Sequence, residues 1–135
     1  MKKLLRTLWL FGILIVTVGS LLPANSLAMR ALDRLHINDK IEHFAAYAIL
    51  VFLPVIHERP RFAIAATIGA AALGVGLEFG QLYSGWRDFE IGDMVADAAG
   101  VCFGLVVGVP VRSTAIARSL LLWNEKSLRT HKQTQ

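Results

Sequence analysis

The sequence predicts an all-α membrane protein: four transmembrane helices, both termini cytoplasmic, and a short interfacial helix at the C-terminus. Three observations carry that reading. Hydrophobic residues make up 55% of the 135-residue chain and charged residues 18%, against roughly 25% charged in a soluble domain. Four long stretches are nearly free of charge, and the positive charges between them are shared unevenly among the connections. The length suits one domain. The net charge of +4 is spread over loops with no basic run interleaved with aromatics, which argues for topology signals and against a nucleic-acid partner.

The first span is predicted over residues 7–24. Lys2, Lys3 and Arg6 precede it, and its centre reads LWLFGILIVTVGSLL. A basic start, an apolar middle and Ser26-Leu27-Ala28 also fit a cleaved signal peptide. Retention is the preferred reading, because three further apolar runs follow. The second span, 40–57, opens with Glu42 and His43 and carries Pro54 in its last turn, where neighbouring groups can satisfy the carbonyl that proline frees. The third, 62–82, is rich in Ala and Gly and passes through Glu78; the fourth, 93–111, has Asp97 as its internal charge. The charge-free parts of these runs fall slightly short of the ~20 residues that cross a bilayer. They reach that length when residues 39–43, 78–81 and 93 belong to the helices. Cys102, the single cysteine, forms no intrachain disulfide and reads as a buried, inert thiol.

Residues 1–112 thus form the membrane domain and 113–135 a cytoplasmic tail. Ile116, Leu120 and Trp123 recur at helical spacing beside Arg118, Lys126 and Arg129, a pattern suited to a short helix on the membrane surface. Residues 127–135 are polar and read as disordered. Orientation follows from the loops. Ten Lys and Arg precede the first span, separate the second from the third, or follow the fourth. Four (Arg30, Arg34, Lys40 and Arg87) lie on the other side. The richer side belongs in the cytoplasm.

Alternation of four spans brings the start of the second, the end of the third and the start of the fourth to one face. Lys40, His43 and Tyr47 share a helix face, as do Glu78 with Gln81 and Asp93 with Asp97. Charges at this depth cost several kcal/mol if they face lipid, so they are expected to turn inward and pair, with Lys40 and Arg87 as the cations. Each residue also has a structural reading: Asp39 as an N-cap, Asp93 in a first turn, Lys40 snorkelling, Tyr47 as a core ring, Glu78 and Arg87 as an ion pair. Their convergence favours function, and His43 titrates near neutral pH. The candidate catalytic residues are His43 as general base, with Glu78 and Asp93 to orient it or act as acid. Asp39, Lys40, Tyr47, Gln81, Arg87 and Asp97 complete the polar cluster, Lys40 and Arg87 being suited to an anionic head group. No G-x-S-x-G or H-E-x-x-H is present. No local spacing argues for a metal at His43, Glu78 and Asp93, and no cofactor is named. Gly100, Gly104 and Gly108, and the pair Gly76 and Gly80, predict close helix packing.

These residues carry a resemblance. Asp39, Lys40, His43, Phe44 and Tyr47 (D-K-x-x-H-F-x-x-Y), then Glu78 and Gln81, then Arg87, Phe89, Ile91 and Asp93 before a glycine-rich helix resemble the VanZ-like family of small bacterial membrane proteins. Ser20-Leu21-Leu22-Pro23 is also typical, and the match runs from about Leu21 to Gly108. The chain departs from the pattern at Asp97, often Asn in the family, and at Glu90, commonly Asp. The resemblance implies a four-span protein of the bacterial cell membrane with polar residues on its outer face. The family's named member is associated with resistance to the glycopeptide teicoplanin.

Three functions stand at this point. The first is binding or processing of a cell-envelope lipid or glycopeptide-related ligand. The second is a structural or assembly factor in the envelope with no catalysis. The third is a small ion- or proton-coupled transporter, against which the ionisable residues supply no through-path unless copies assemble. Expected partners are membrane lipids, an envelope lipid ligand and further copies of the chain.

Overall fold

Helix ends are fixed by short-range chemistry in the computed structural model, which describes residues 2–23, 26, 27, 29, 30, 38–85 and 90–133. The long helices are α1 (Lys2–Leu21), α2 (Asp39–His57), α3 (Pro60–Ser84) and α4 (Ile91–Gln133). The cap of α2 is Asn38, whose side chain accepts from the Lys40 amide at 3.0 Å; Asp39, the expected cap, is the first helical residue. Pro60 opens α3, where its missing N–H costs nothing. Gly85, at φ 71°, closes it in the left-handed conformation that glycine adopts without strain.

All four helices are long and apolar enough to cross a membrane, over Lys3–Leu21, Asp39–His57, Pro60–Ser84 and Ile91–Ile116. This is the build of a multi-pass membrane protein. Large apolar side chains such as Phe11, Ile15, Ile68 and Val106 are more than half exposed, as suits helices solvated by acyl chains. Cys102 belongs with them. It is exposed on α4, so the expectation of a buried thiol is corrected: position 102 lies off the stripe of Gly100 and Gly104 that faces α2.

Tertiary contacts give each helix its direction. Lys40 and His43 meet Asp93 and Asp97, while Val55 and Glu58 meet Arg112, so α2 and α4 run parallel. Arg6 meets Glu58 and Trp9 meets Leu50, so α1 opposes α2. Trp9 packs edge-on against Phe62, and Gln81 bonds to Ser20, so α3 runs with α1. The helices therefore alternate up and down, as the sequence predicts.

The seam between α2 and α4 is the tightest in the molecule. A Cβ on Gly104 would lie 2.6 Å from the Ala48 carbonyl oxygen, and one on Gly108 2.8 Å from Val55 Cγ1; one on Gly100 would strike the Phe44 carbonyl oxygen. Glycine at every fourth residue lets the two backbones touch. The other predicted pair behaves differently. A Cβ on Gly76 would meet nothing within 4 Å, and one on Gly80 would lie 3.1 Å from a Leu21 methyl of α1, so among the described residues Gly76 and Gly80 do not make the backbone-to-backbone contact seen between α2 and α4.

The Glu58 end of the bundle is closed by side chains that serve backbone needs. Pro54 cannot donate to Leu50, and the Trp9 indole N–H donates to that carbonyl instead, at 2.8 Å. Arg112 donates to the Val55 and Glu58 carbonyls at 3.1 and 2.7 Å, capping the C-terminus of α2. Arg6 forks onto both Glu58 oxygens and lies over the Phe62 ring at 5.3 Å. His57 Nδ1 turns back to the Leu53 carbonyl. Its Nε2, 3.4 Å from a Glu58 oxygen, makes no hydrogen bond among the described residues.

The C-terminal prediction also changes. The helical backbone runs unbroken from Ile91 to Gln133, so no separate short helix begins at 113, and 127–133 are helical where disorder was expected. Beyond Pro110 there is no Gly or Pro to punctuate the helix, and the Ser113 and Thr114 hydroxyls bond back to the Pro110 carbonyl within it.

Candidate functional site

The opposite end gathers most of the predicted cluster. Helical spacing on α2 points Lys40, His43 and Tyr47 in succession down the seam toward α4. The Lys40 ammonium, half-exposed at the mouth, lies 2.6 Å from Glu90 Oε2 and 3.3 Å from Asp93 Oδ1. One turn deeper, His43 Nδ1 lies 2.9 Å from Asp97 Oδ1, and its Nε2 lies 3.9 Å from Asp93 Oδ2. Asp93 and Asp97 are 3% and 5% exposed, held inward because positions 93 and 97 lie one turn apart on the face that continues into Gly100. Below them Tyr47 is buried beside Gly74, and a Cβ on Gly74 would lie 2.7 Å from Asp97 Oδ2 and 3.3 Å from the tyrosine ring. Gly74 is therefore the position on α3 that makes room for the Asp97 carboxylate.

Glu78 reaches the cluster from α3. It is 1% exposed, and its Oε2 accepts from the Glu90 amide at 3.4 Å. That bond ties the end of α3 to the residue just before α4. Glu90, outside the predicted set, thus joins all three elements through its carboxylate on Lys40 and its amide on Glu78. Its position between two apolar runs, and the acid that the resemblance expects there, were the signals for it.

Three predicted members fall differently. Gln81 turns to α1, donating to the Ser20 carbonyl at 2.9 Å, and its buried Oε1 has no partner among the described residues. It is a link between α1 and α3, because its position three residues after Glu78 lies toward α1. Asp39 is exposed at the mouth yet close to the imidazole: Asp39, His43 and Asp93 each offer a donor atom, all within 4.8 Å of one another. Arg87 lies outside the described residues, and with it the Glu78–Arg87 ion pair. The direct partner of His43 is Asp97, which sequence reasoning grouped with the binding residues and not with the catalytic candidates.

Chemically, the arrangement offers one imidazole oriented by a carboxylate through Nδ1, with Nε2 turned toward a second carboxylate. Among the described residues, five carboxylates (Asp39, Glu78, Glu90, Asp93 and Asp97) stand against Lys40 and His43. An apolar groove of 340 Å³ on the helix flank, bordered by Trp9, Leu50 and Phe62, includes none of these groups. Comparison of the chain with protein-family models, with curated proteins and with solved structures finds no match.

Proposed function

We propose that this chain is a VanZ-like multi-pass protein of the bacterial cytoplasmic membrane. Its His43 end faces outward and binds or processes a cell-envelope lipid or glycopeptide-related ligand. The observation that carries the proposal is the setting of His43. Its imidazole is anchored by Asp97 and directed at Asp93, directly beneath a mouth where Lys40 and Asp39 reach the surface. Helix capping requires none of these except a first-turn acid, so the cluster exceeds what the fold needs. The excess of Lys and Arg at the other end supports the outward orientation, with both termini cytoplasmic. In this reading His43 Nε2 accepts a proton as general base, Asp97 and Asp93 orient and balance it, and Lys40 meets an anionic head group.

One observation favours a second reading, a structural or assembly factor. Lys40 already bridges α2 to Glu90 and Asp93, so the same contacts lock helices together. The two readings separate when purified protein is tested for retention of a polyisoprenyl phosphate in nanodiscs beside its thermal stability. His43→Gln is expected to lower retention at least tenfold with little change in melting. A variant that retains the lipid as wild type does, or that fails to accumulate, decides for the structural role.

A further inference from the structure

We infer that Asp39, His43 and Asp93 bind one first-row divalent transition-metal ion at the mouth of the bundle, with Zn²⁺ as the representative ion. The inference deepens the reading of this end as a binding site and rests on it, but not on which lipid is bound; with the ion in place His43 Nε2 is a ligand and does not act as general base.

Two independent features point to a cation here. The first is the donor set. One donor atom from each of the three residues lies within 4.8 Å of the others. An ion bound at about 2.1 Å from its ligands holds neighbouring donors roughly 3 to 3.5 Å apart. Asp39 is exposed and stands on the first turn of α2, at the mouth where an ion would draw the three donors together. Asp93 divides its oxygens, with Oδ1 on Lys40 and Oδ2 turned toward His43 Nε2.

The second feature is the state of the imidazole. The His43 side chain is only 10% exposed, and its Nε2 is turned toward an Asp93 oxygen 3.9 Å away. Nδ1 is bonded to Asp97. A buried histidine anchored on a carboxylate through one nitrogen, with the other directed at further oxygen donors, is the arrangement that orients metal-binding histidines. Among the described residues carboxylates outnumber cations around it, so a bound ion would offset charge that Lys40 does not.

The donor chemistry narrows the ion. Two carboxylate oxygens and one imidazole nitrogen suit Zn²⁺ or Mn²⁺ better than Ca²⁺ or Mg²⁺, which favour oxygen throughout. Three protein ligands leave a coordination position toward the exposed mouth, where a water or a phosphate oxygen of a head group can bind.

The test uses the full-length chain without an affinity tag, purified in detergent, stripped with chelator and titrated with Zn²⁺ alone in a calorimeter. One ion per chain is expected. His43→Gln, Asp39→Asn and Asp93→Asn should each weaken binding at least tenfold. Asp97→Asn should weaken it about tenfold through the orientation of His43. His57→Gln, at the far end, should bind as wild type. Because a variant can fail to fold, wild type loaded with Mn²⁺ is also examined by pulsed EPR, where modulation from a directly bound imidazole nitrogen is expected. No saturable Zn²⁺ binding, equal affinity in all the variants, or an Mn²⁺ signal without nitrogen would each overturn the site. Zn²⁺ binding without retention of polyisoprenyl phosphate keeps the ion and removes the lipid; retention by the metal-free protein, with no ion bound, does the reverse.

Discussion

The two ends of the bundle are both polar, but their polar groups answer different needs. At the Glu58 end the principal contacts repair a defect of the backbone. Trp9 fills the carbonyl that Pro54 leaves open, Arg112 caps two carbonyls at the end of α2, and Arg6 neutralises a carboxylate that is 7% exposed. At the His43 end the helices need little. Asn38 already caps α2, yet among the described residues five carboxylates, a lysine and a histidine converge. A cluster that completes helix ends is explained by folding; one that goes beyond them is the basis on which we propose a ligand. The pairing of charges alone would not have told the two apart.

Both ends hang on the seam between α2 and α4, so the largest expected effect is there. Gly104→Leu would drive a side chain into the Ala48 carbonyl and Val51, atoms of a helix that cannot give way. Overpacking of this kind costs about 3 kcal/mol or more, and both ends should come apart together, read as loss of folded protein in detergent extracts. If Gly104→Leu melts near wild type, the two ends are held by something other than the seam.

Arg112→Ala comes next. It leaves the Val55 and Glu58 carbonyls without their charged donor, at a cost of roughly 2 to 4 kcal/mol, measured by thermal or denaturant unfolding. Zn²⁺ affinity at the far end should be unchanged in the fraction that remains folded. Trp9→Phe is milder. It keeps the ring against Phe62 and removes only the donor to Leu50, so about 1 kcal/mol is expected. A loss as large as that of Arg112→Ala would mean that Trp9 acts mainly through packing.

How much of this comparison could be read from the sequence depends on the range of the contacts. The spans were legible because they rest on local hydropathy, and the convergence of Lys40, His43, Glu78, Asp93 and Asp97 followed from alternation and helical spacing. The glycine seam showed for the same reason. The Glu58 end was illegible. Arg6, Glu58 and Arg112 are joined across more than 50 residues, and HERPR reads as a charged loop until Arg112 is seen to cap the helix before it. Gln81 and Cys102 were misplaced because a period of 3.6 says which residues share a face but not which neighbour that face meets. The direct partner of His43 was hidden by one turn: Asp93 and Asp97 share a face, and only the crossing of α2 and α4 decides which of them takes Nδ1.

The smallest structural effect tests the difference between the ends most sharply, and the choice of substituent decides what it means. His43→Ala would leave Asp97, 5% exposed, without its donor, and an unpaired buried carboxylate costs about 3 kcal/mol or more. That loss would look structural whatever the site does. His43→Gln keeps an amide that can donate to Asp97 while removing the imidazole nitrogen turned toward Asp93, so stability should fall by only about 1 kcal/mol. Glu58→Gln makes the same kind of conservative change at the other end, where an amide cannot accept both arms of Arg6, and its melting temperature should drop further than that of His43→Gln. If the order is reversed, with His43→Gln the more destabilising, the His43 end is the lock, and its excess charge has a folding role that the capping geometry does not reveal.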